Sequence, residues 1–128
     1  MRKPKIDLTK TEWILMEGLW ERGRGTATEL QKMVAAEQNW AYSTVKTMLD
    51  RMVEKGLIGF RRVGIVYEYT PKLRRKSAVG RVVDDVFDRV LAGSLAPFVG
   101  RLIENRRLSA EDVSSLREML DQYDEDVA

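Results

Sequence analysis

The stretch Ala41–Gly56, AYSTVKTMLDRMVEKG, limits the possible folds more than any other part of the chain. Val45, Met48, Leu49, Met52 and Val53 recur at i, i+3, i+4, i+7 and i+8, so every apolar side chain falls on one face of an α-helix. That face has to be buried against something. The other side differs from an ordinary solvated back. Its start carries Tyr42, Ser43, Lys46 and Thr47, with Arg51 one turn on and only Asp50 and Glu54 as acids. Hydroxyls, amides and cations near a helix N-terminus can approach phosphates and base edges, and the helix dipole favours an anion there.

Composition narrows the chemistry. The 128 residues suffice for one core, or for a small domain with an appendage. There is no cysteine, which excludes disulfides and thiolate metal sites and suits a reducing compartment. There is no histidine, so the usual general base and the commonest neutral metal ligand are missing. No glycine-rich phosphate loop, nucleophile elbow or paired acid/base motif is present, and an enzyme is not expected. No cofactor or metal is expected either. No apolar run reaches the roughly 18 residues that span a bilayer, and Met1–Thr9 lacks a signal-peptide core, so a cytoplasmic location without membrane insertion is expected. The net charge of +2 conceals an asymmetry: residues 1–76 hold 16 Lys/Arg against 9 Asp/Glu, and residues 77–128 hold 6 against 11. A basic front and an acidic back suit a protein that offers one end to a polyanion.

Taken in order, the chain opens with a short basic arm, Met1–Asp7, read as a disordered terminus. Thr9 with Glu12 matches a capping box, in which each side chain satisfies an orphan backbone N–H of the other residue. Leu8 and Trp13 stand where a hydrophobic staple would close, Trp13, Met16, Leu19 and Trp20 supply an apolar face, and Gly23 is a natural C-terminal cap. Thr26 with Glu29 repeats the device for a second helix, whose stripe is Ala27, Leu30, Met33 and Val34, ending near Glu37. A short polar turn through Trp40 leads to the helix at 42–56, so the last pair makes a helix-turn-helix. After Gly56 the periodicity changes. Leu57–Arg62 and Ile65–Thr70, parted by Val63-Gly64, predict a β-hairpin at 57–70 with Arg61 and Arg62 close to its tip, and Pro71 closes the unit. A hairpin after a recognition helix, with cations at its tip, is a wing that can reach the backbone or an adjacent minor groove.

The remainder reads as helical. Val79, Val82, Val83, Val86, Phe87, Val90 and Leu91 keep a 3–4 spacing from about Arg74 to Ala92, where Gly93-Ser94 breaks it. Leu95, Phe98, Val99, Leu102 and Ile103 form a second amphipathic piece, with Pro97 in its first turn, where proline is tolerated. Ser109 with Asp112 resembles a capping box for a third, striped by Val113, Leu116, Leu120 and Tyr123 before an acidic tail. Some fifty residues cannot easily build a separate core. Burial against a second copy is the favoured answer, and folding back over residues 1–70 as a monomeric cap is the alternative. The dimer seam would draw on Val79, Val82, Val83, Val86, Phe87, Val90, Leu91, Phe98, Leu102, Leu116 and Leu120.

The order helix, helix, recognition helix, wing and apolar tail resembles the penicillinase-repressor family, which includes the β-lactamase and methicillin-resistance repressors. The matching residues are Leu8-Thr9-x-x-Glu12-Trp13, Leu19-Trp20, Thr26 to Leu30, Trp40, Ser43 to Leu49 with Arg51-Met52-Val53 and Lys55-Gly56, and Gly64-x-Val66-Tyr67-x-Tyr69-x-Pro71. The resemblance implies a mainly α protein with a small β-hairpin. A winged helix-turn-helix DNA-binding domain would occupy residues 1–72, and a helical dimerisation domain residues 73–128. It implies a homodimeric transcriptional repressor on a palindromic double-stranded DNA operator. Carried over by position, Tyr42, Ser43, Thr44, Lys46, Thr47 and Arg51 would face DNA, with Lys46 and Arg51 as candidates for base or phosphate contacts and Arg61 and Arg62 serving the wing. Antibiotic-responsive members of the family are inactivated by a membrane sensor protease that cuts an Asn-Phe bond in the dimerisation helices. The nearest counterpart here is Pro97-Phe98. Copper-responsive relatives carry a C-terminal cysteine pattern that this chain lacks.

Three blander readings stand beside these. Arg74-Arg75-Lys76 is either a phosphate-tracking run or a solvated helix start. Asp84, Asp85 and Asp88 share a face as a hard-metal site would, but read better as an exposed polar face. The rival function is a winged helix used for protein contact, as an adaptor or assembly module.

Overall fold

The computed structural model describes residues 8–127, and the expected arm at Met1–Asp7 lies outside them. Two compact units divide between Gly80 and Arg81. The first contains α1 (Lys10–Arg22), β1 (Gly25–Thr26), α2 (Ala27–Val34), α3 (Tyr42–Glu54), β2 (Ile58–Val63), β3 (Val66–Pro71) and the start of α4 (Arg75–Asp85). The second holds the end of α4, a π-helical turn at Val86–Val90, α5 (Ala96–Glu104) and α6 (Ala110–Val127).

Local chemistry sets the helix ends. In both capping boxes the threonine hydroxyl accepts from the N3 backbone and the N3 glutamate accepts from the cap: Glu12 N to Thr9 Oγ1 at 3.2 Å and Thr9 N to Glu12 Oε1 at 2.8 Å, then Glu29 N to Thr26 Oγ1 at 3.2 Å and Thr26 N to Glu29 Oε1 at 3.0 Å. Gly23 ends α1 at φ 84°, its N–H on the Leu19 carbonyl at 2.7 Å. The second helix stops at Val34, short of the expected Glu37, and a turn over residues 35–37 takes the rest.

The core forms where the three stripes meet. Leu15, Met16 and Leu19 of α1, Ala27, Leu30 and Val34 of α2, and Val45, Leu49 and Met52 of α3 are buried together with Leu57, Ile58 and Tyr69 of the hairpin. Full burial of a side chain such as Leu49 contributes roughly 1.5–3 kcal/mol. Trp13 and Trp20 are half-buried at its margin, edge to face at 5.6 Å, and Trp20 Nε1 donates to the Leu73 carbonyl at 2.8 Å. Leu73 and Ala78 also belong to this core, so the first unit reaches past the 72/73 boundary expected from sequence.

The sheet is antiparallel in the order β1-β3-β2. Its hairpin differs from expectation in register. Val63 pairs with Val66, so the turn residues are Gly64-Ile65 and not Val63-Gly64. Gly64 takes φ 64°, which the first position of a two-residue II′ turn needs and which β-branched Val63 would resist. The third strand, β1, was not anticipated: Gly25 pairs with Tyr69 and Thr26 with Glu68, which fastens the wing's second strand to the α1–α2 connection. Three helices carrying this wing make a winged helix-turn-helix.

In the second unit no described residue is buried. The long helix expected to Ala92 loses α-geometry at Val86, where the Leu91 N–H reaches the Val86 carbonyl at 2.9 Å in the wider π pattern, and it ends with Gly93 at φ 81°. Pro97 lies in the first turn of α5. The Ser109–Asp112 box forms, both bonds at 3.0 Å, and α6 runs on through the acidic tail to Val127. No described helix is long and apolar enough to cross a membrane. Among the described residues no cluster of metal-ligating side chains is arranged to hold an ion, and Asp85 pairs with Arg89 at 2.9 Å.

Glu12 also joins α1 to the end of α3, accepting from Lys55 Nζ at 2.9 Å on both carboxylate oxygens. Burial pushes its carboxyl up, but the hydrogen bonds from Lys55 and Thr9 outweigh this and leave it below the ordinary value. A carboxyl with a depressed folded-state pKa stabilises fully above its unfolded value and loses that contribution as pH falls through the folded one. Glu12→Gln should therefore cost about 1–2 kcal/mol at neutral pH. Denaturant melts of the two proteins should converge as the pH falls below the ordinary carboxyl value of 4.5.

Candidate nucleic-acid interface

Packing fixes which side of α3 looks outward. With Val45, Leu49 and Met52 inaccessible, Tyr42, Ser43, Thr44, Thr47 and Arg51 are exposed, Tyr42 by 48%. The helix begins at Ala41, which has φ −69° and no side chain able to cap it, and the first turn contains no acid. Its leading N–H groups are thus left to solvent or to a ligand, at the positive end of the helix dipole. Arg51 and Arg62 have no ion-pair partner among the described residues. Arg51 borders a cleft of about 300 Å³ together with Thr9, Thr11 and Lys55, so the N-terminus of α1 adds two hydroxyls beside the guanidinium.

The wing carries its cations on opposite faces. Arg61 lies across from Glu68 in the ladder and binds its carboxylate at 2.9 Å, whereas Arg62 lies across from Tyr67 on the face shared with Phe60 and Tyr69. Phe60 meets Tyr67 edge to face at 5.0 Å. Ile65, at the tip, is 93% exposed.

Lys46 behaves differently from its neighbours on α3. Its Nζ donates to Asp50 Oδ1 at 2.7 Å and to the Tyr69 hydroxyl at 2.8 Å, and the Tyr69 hydroxyl donates in turn to Asp50 Oδ1 at 3.1 Å. The ammonium also lies 5.0 Å from the Tyr67 ring centroid and 5.6 Å from that of Tyr69. Burial works against its charge, yet the bonds to Asp50 and Tyr69 prevail and hold its pKa above the ordinary lysine value. Burial likewise raises the Tyr69 phenol, opposed by the bond from Lys46 and reinforced by that to Asp50. The sequence offered Lys46 as a base or phosphate contact; in the structure its amine is turned onto the wing.

A cleft of about 140 Å³ opens between α2, α3 and β3, lined among others by Thr28, Tyr42, Lys46 and Tyr67. Thr28 and Tyr67 were not among the residues expected at the site. The i, i+4 spacing of Lys46 and Asp50 was a legible sign of one bond, but the tyrosine is 23 residues away and nothing local announces it. Elsewhere Val82, Val83, Phe87, Val90, Phe98, Leu116 and Leu120 are exposed, while Val79, Val86, Leu91 and Leu102 are partly covered. Pro97 and Phe98 are exposed at the start of α5.

Comparison with known proteins places this geometry. The sequence model described as penicillinase repressor matches residues 8–122. The penicillinase repressor of Bacillus licheniformis is 25% identical over 116 residues, which cover 91% of each chain. The solution structure of the DNA-binding domain of the repressor BlaI is similar at TM-score 0.50 and 28% identity, over 60% of this chain and 93% of that one. The YusO protein of Bacillus subtilis shares the fold at TM-score 0.51 and 18% identity, over 92% of this chain and 75% of its own.

The uncapped start of α3 gives a direct check of the local reading. Ala41→Ser should raise the protein's stability by about 1 kcal/mol, visible as a higher melting temperature, because a serine hydroxyl can accept one of the orphan N–H groups.

Proposed function

The chain belongs to the penicillinase repressor family, whose members are transcriptional repressors and not enzymes, and from that premise we propose that it binds a palindromic operator as a homodimer. In this reading α3 enters the major groove and the β2–β3 wing follows the adjacent backbone or minor groove. The observation that carries it is the two-sidedness of α3: one side packed on the core, with Val45, Leu49 and Met52 inaccessible and Met48 and Val53 partly covered, the other lined with exposed hydroxyls and an unpaired guanidinium. Ser43, Thr44 and Thr47 fix register on phosphates, Tyr42 flanks them, and Arg51 is positioned for a base edge or phosphate. Arg62 reaches the backbone from the wing, and Arg61 joins it if Glu68 releases it. The BlaI structure supports the reading because the likeness is to a DNA-binding domain.

The homodimer is supported by the second unit, whose apolar stripes lack cover. Val82, Phe87, Val90 and Phe98 on one stretch and Leu116 and Leu120 on another are exposed side chains of the kind that a second copy buries. Two protomers related by a two-fold axis would set half-sites about 34 Å, or a multiple, apart. If a membrane sensor protease ends repression by separating the pair, its cut differs from the family's Asn-Phe cleavage, because proline stands before Phe98 here.

One feature favours the adaptor reading instead. The wing tip is apolar, with Ile65, Val63 and Val66 exposed, as a protein-contact surface would be. A salt series on duplex DNA decides between the two. Operator affinity should fall steeply and linearly on a log–log plot, with a slope of several phosphate contacts per dimer, and Arg51→Ala should weaken it by about tenfold or more. Affinity indifferent to salt, on the protein's own promoter region included, would favour the adaptor. Phe87→Glu should sediment as a monomer and lose about 10²-fold or more in operator affinity, since two half-sites no longer bind as one. An unchanged dimer would remove Phe87 from the seam.

A further inference from the structure

We propose that Lys46 is a positioning residue: with Asp50 and Tyr69 it straps the wing to α3, setting the angle at which helix and hairpin reach DNA. The inference rests on the DNA-binding reading above and adds a role that differs from direct contact.

Three observations carry it. The triangle is closed, since Lys46 donates to Asp50 and Tyr69 while Tyr69 donates to Asp50, so moving any one member breaks two bonds. It joins different elements: Lys46 and Asp50 lie one turn apart on α3, whereas Tyr69 lies on β3, opposite Phe60 of β2 and Gly25 of β1. Tyr69 is therefore the residue at which all three strands and the helix are tied. The Tyr69 ring is buried in the core at 1% exposure, so its hydroxyl is a fixed anchor, and the Lys46 ammonium is held further by the Tyr67 face, 5.0 Å from its centroid.

Charge makes the same point. A lysine bound to Asp50 brings no net positive charge to that turn, but it does mask a carboxylate on the helix that is to approach phosphates. Arg51, next in sequence and unpaired, has no such duty. The strap thus separates two tasks on neighbouring turns of one helix. Lys46 holds the wing and neutralises Asp50, and Arg51 is left for DNA.

The test uses the full-length protein, a duplex selected by it from a random pool, and an unrelated duplex of equal length. Lys46→Met keeps the stem but bares Asp50, so Tyr69→Phe, which removes one buried oxygen that DNA cannot touch, is the decisive variant. The strap predicts that Tyr69→Phe and Lys46→Met each weaken the selected duplex by about five- to fiftyfold, that the double variant is no worse than Lys46→Met alone, and that Tyr69→Phe leaves the salt slope unchanged. Affinity of Tyr69→Phe for the unrelated duplex should change little, melting of both variants should stay cooperative with an unchanged folded fraction at the assay temperature, and Lys46→Arg should restore most of the Lys46→Met loss. Without DNA, the β3 amides at 66–71 should exchange faster in both single variants. Neutral Tyr69→Phe beside a Lys46→Met that lowers the slope by about one per protomer would overturn the proposal and make Lys46 a phosphate contact. Additive losses, or losses explained by the unfolded fraction, would overturn it too. If the wild type shows no salt-sensitive DNA binding, the DNA-binding reading fails first, and the exchange arm alone reports whether the strap holds the wing.

Discussion

A helix that buries Val45, Leu49 and Met52 completely can face outward in only one way. The remaining features of the first unit serve that constraint. The two capping boxes start α1 and α2 at fixed points, Glu12 ties the beginning of α1 to Lys55 at the end of α3, and the base of the hairpin closes the core with Leu57, Ile58 and Tyr69. Apart from Thr9 and Lys55, which border the Arg51 cleft, these groups lie off the exposed polar face. They decide where it points, and so whether hydroxyls and guanidinium converge on one surface or scatter.

The two units differ in how they can be stable. The first has a contiguous core, capped helices and a sheet fastened at Gly25 and Thr26. The second has amphipathic helices, a π-helical turn that rotates the apolar stripe part-way along, and no buried residue among those described. Helices of that length gain little from propensity alone and depend on packing for their stability. If a second copy supplies the packing, folding of residues 81–127 and association become one equilibrium, and the apparent stability of that part rises with protein concentration. Loss of the contact would then cost DNA affinity without any change at α3, which is how a distant event in the second unit would end repression.

Much of this was legible in the sequence, for identifiable reasons. The Thr-x-x-Glu boxes and the Ser109–Asp112 box were readable because both partners lie within four residues. The stripe on α3 was readable because its period is 3.6 over a full thirteen-residue helix. Leu15, absent from the expected face of α1, is nevertheless wholly buried, since the tryptophans on either side turn to the margin. What escaped was non-local. A two-residue strand at Gly25–Thr26 has no periodicity to show, and it exists because Tyr69 arrives from more than forty residues away. The hairpin turn was displaced by one residue because Gly64 was placed second in the pair instead of first. Lys46 was grouped with Arg51 by charge and helix position. Its separation from that group depends on a tyrosine hydroxyl that only the folded wing brings within 2.8 Å.

The central claim, that the Tyr42–Arg51 side of α3 and the wing form one DNA-facing surface, is tested most directly by mapping backbone amide shifts while duplex DNA is titrated into the protein. The account predicts that residues 42–51 and 61–67 shift together and saturate at one stoichiometry. The cleft on the far side, bordered by Ile14, Glu17, Gly18, Glu21 and Glu37, should stay unmoved. Shifts concentrated in that far cleft, with the exposed side of α3 silent, would contradict it.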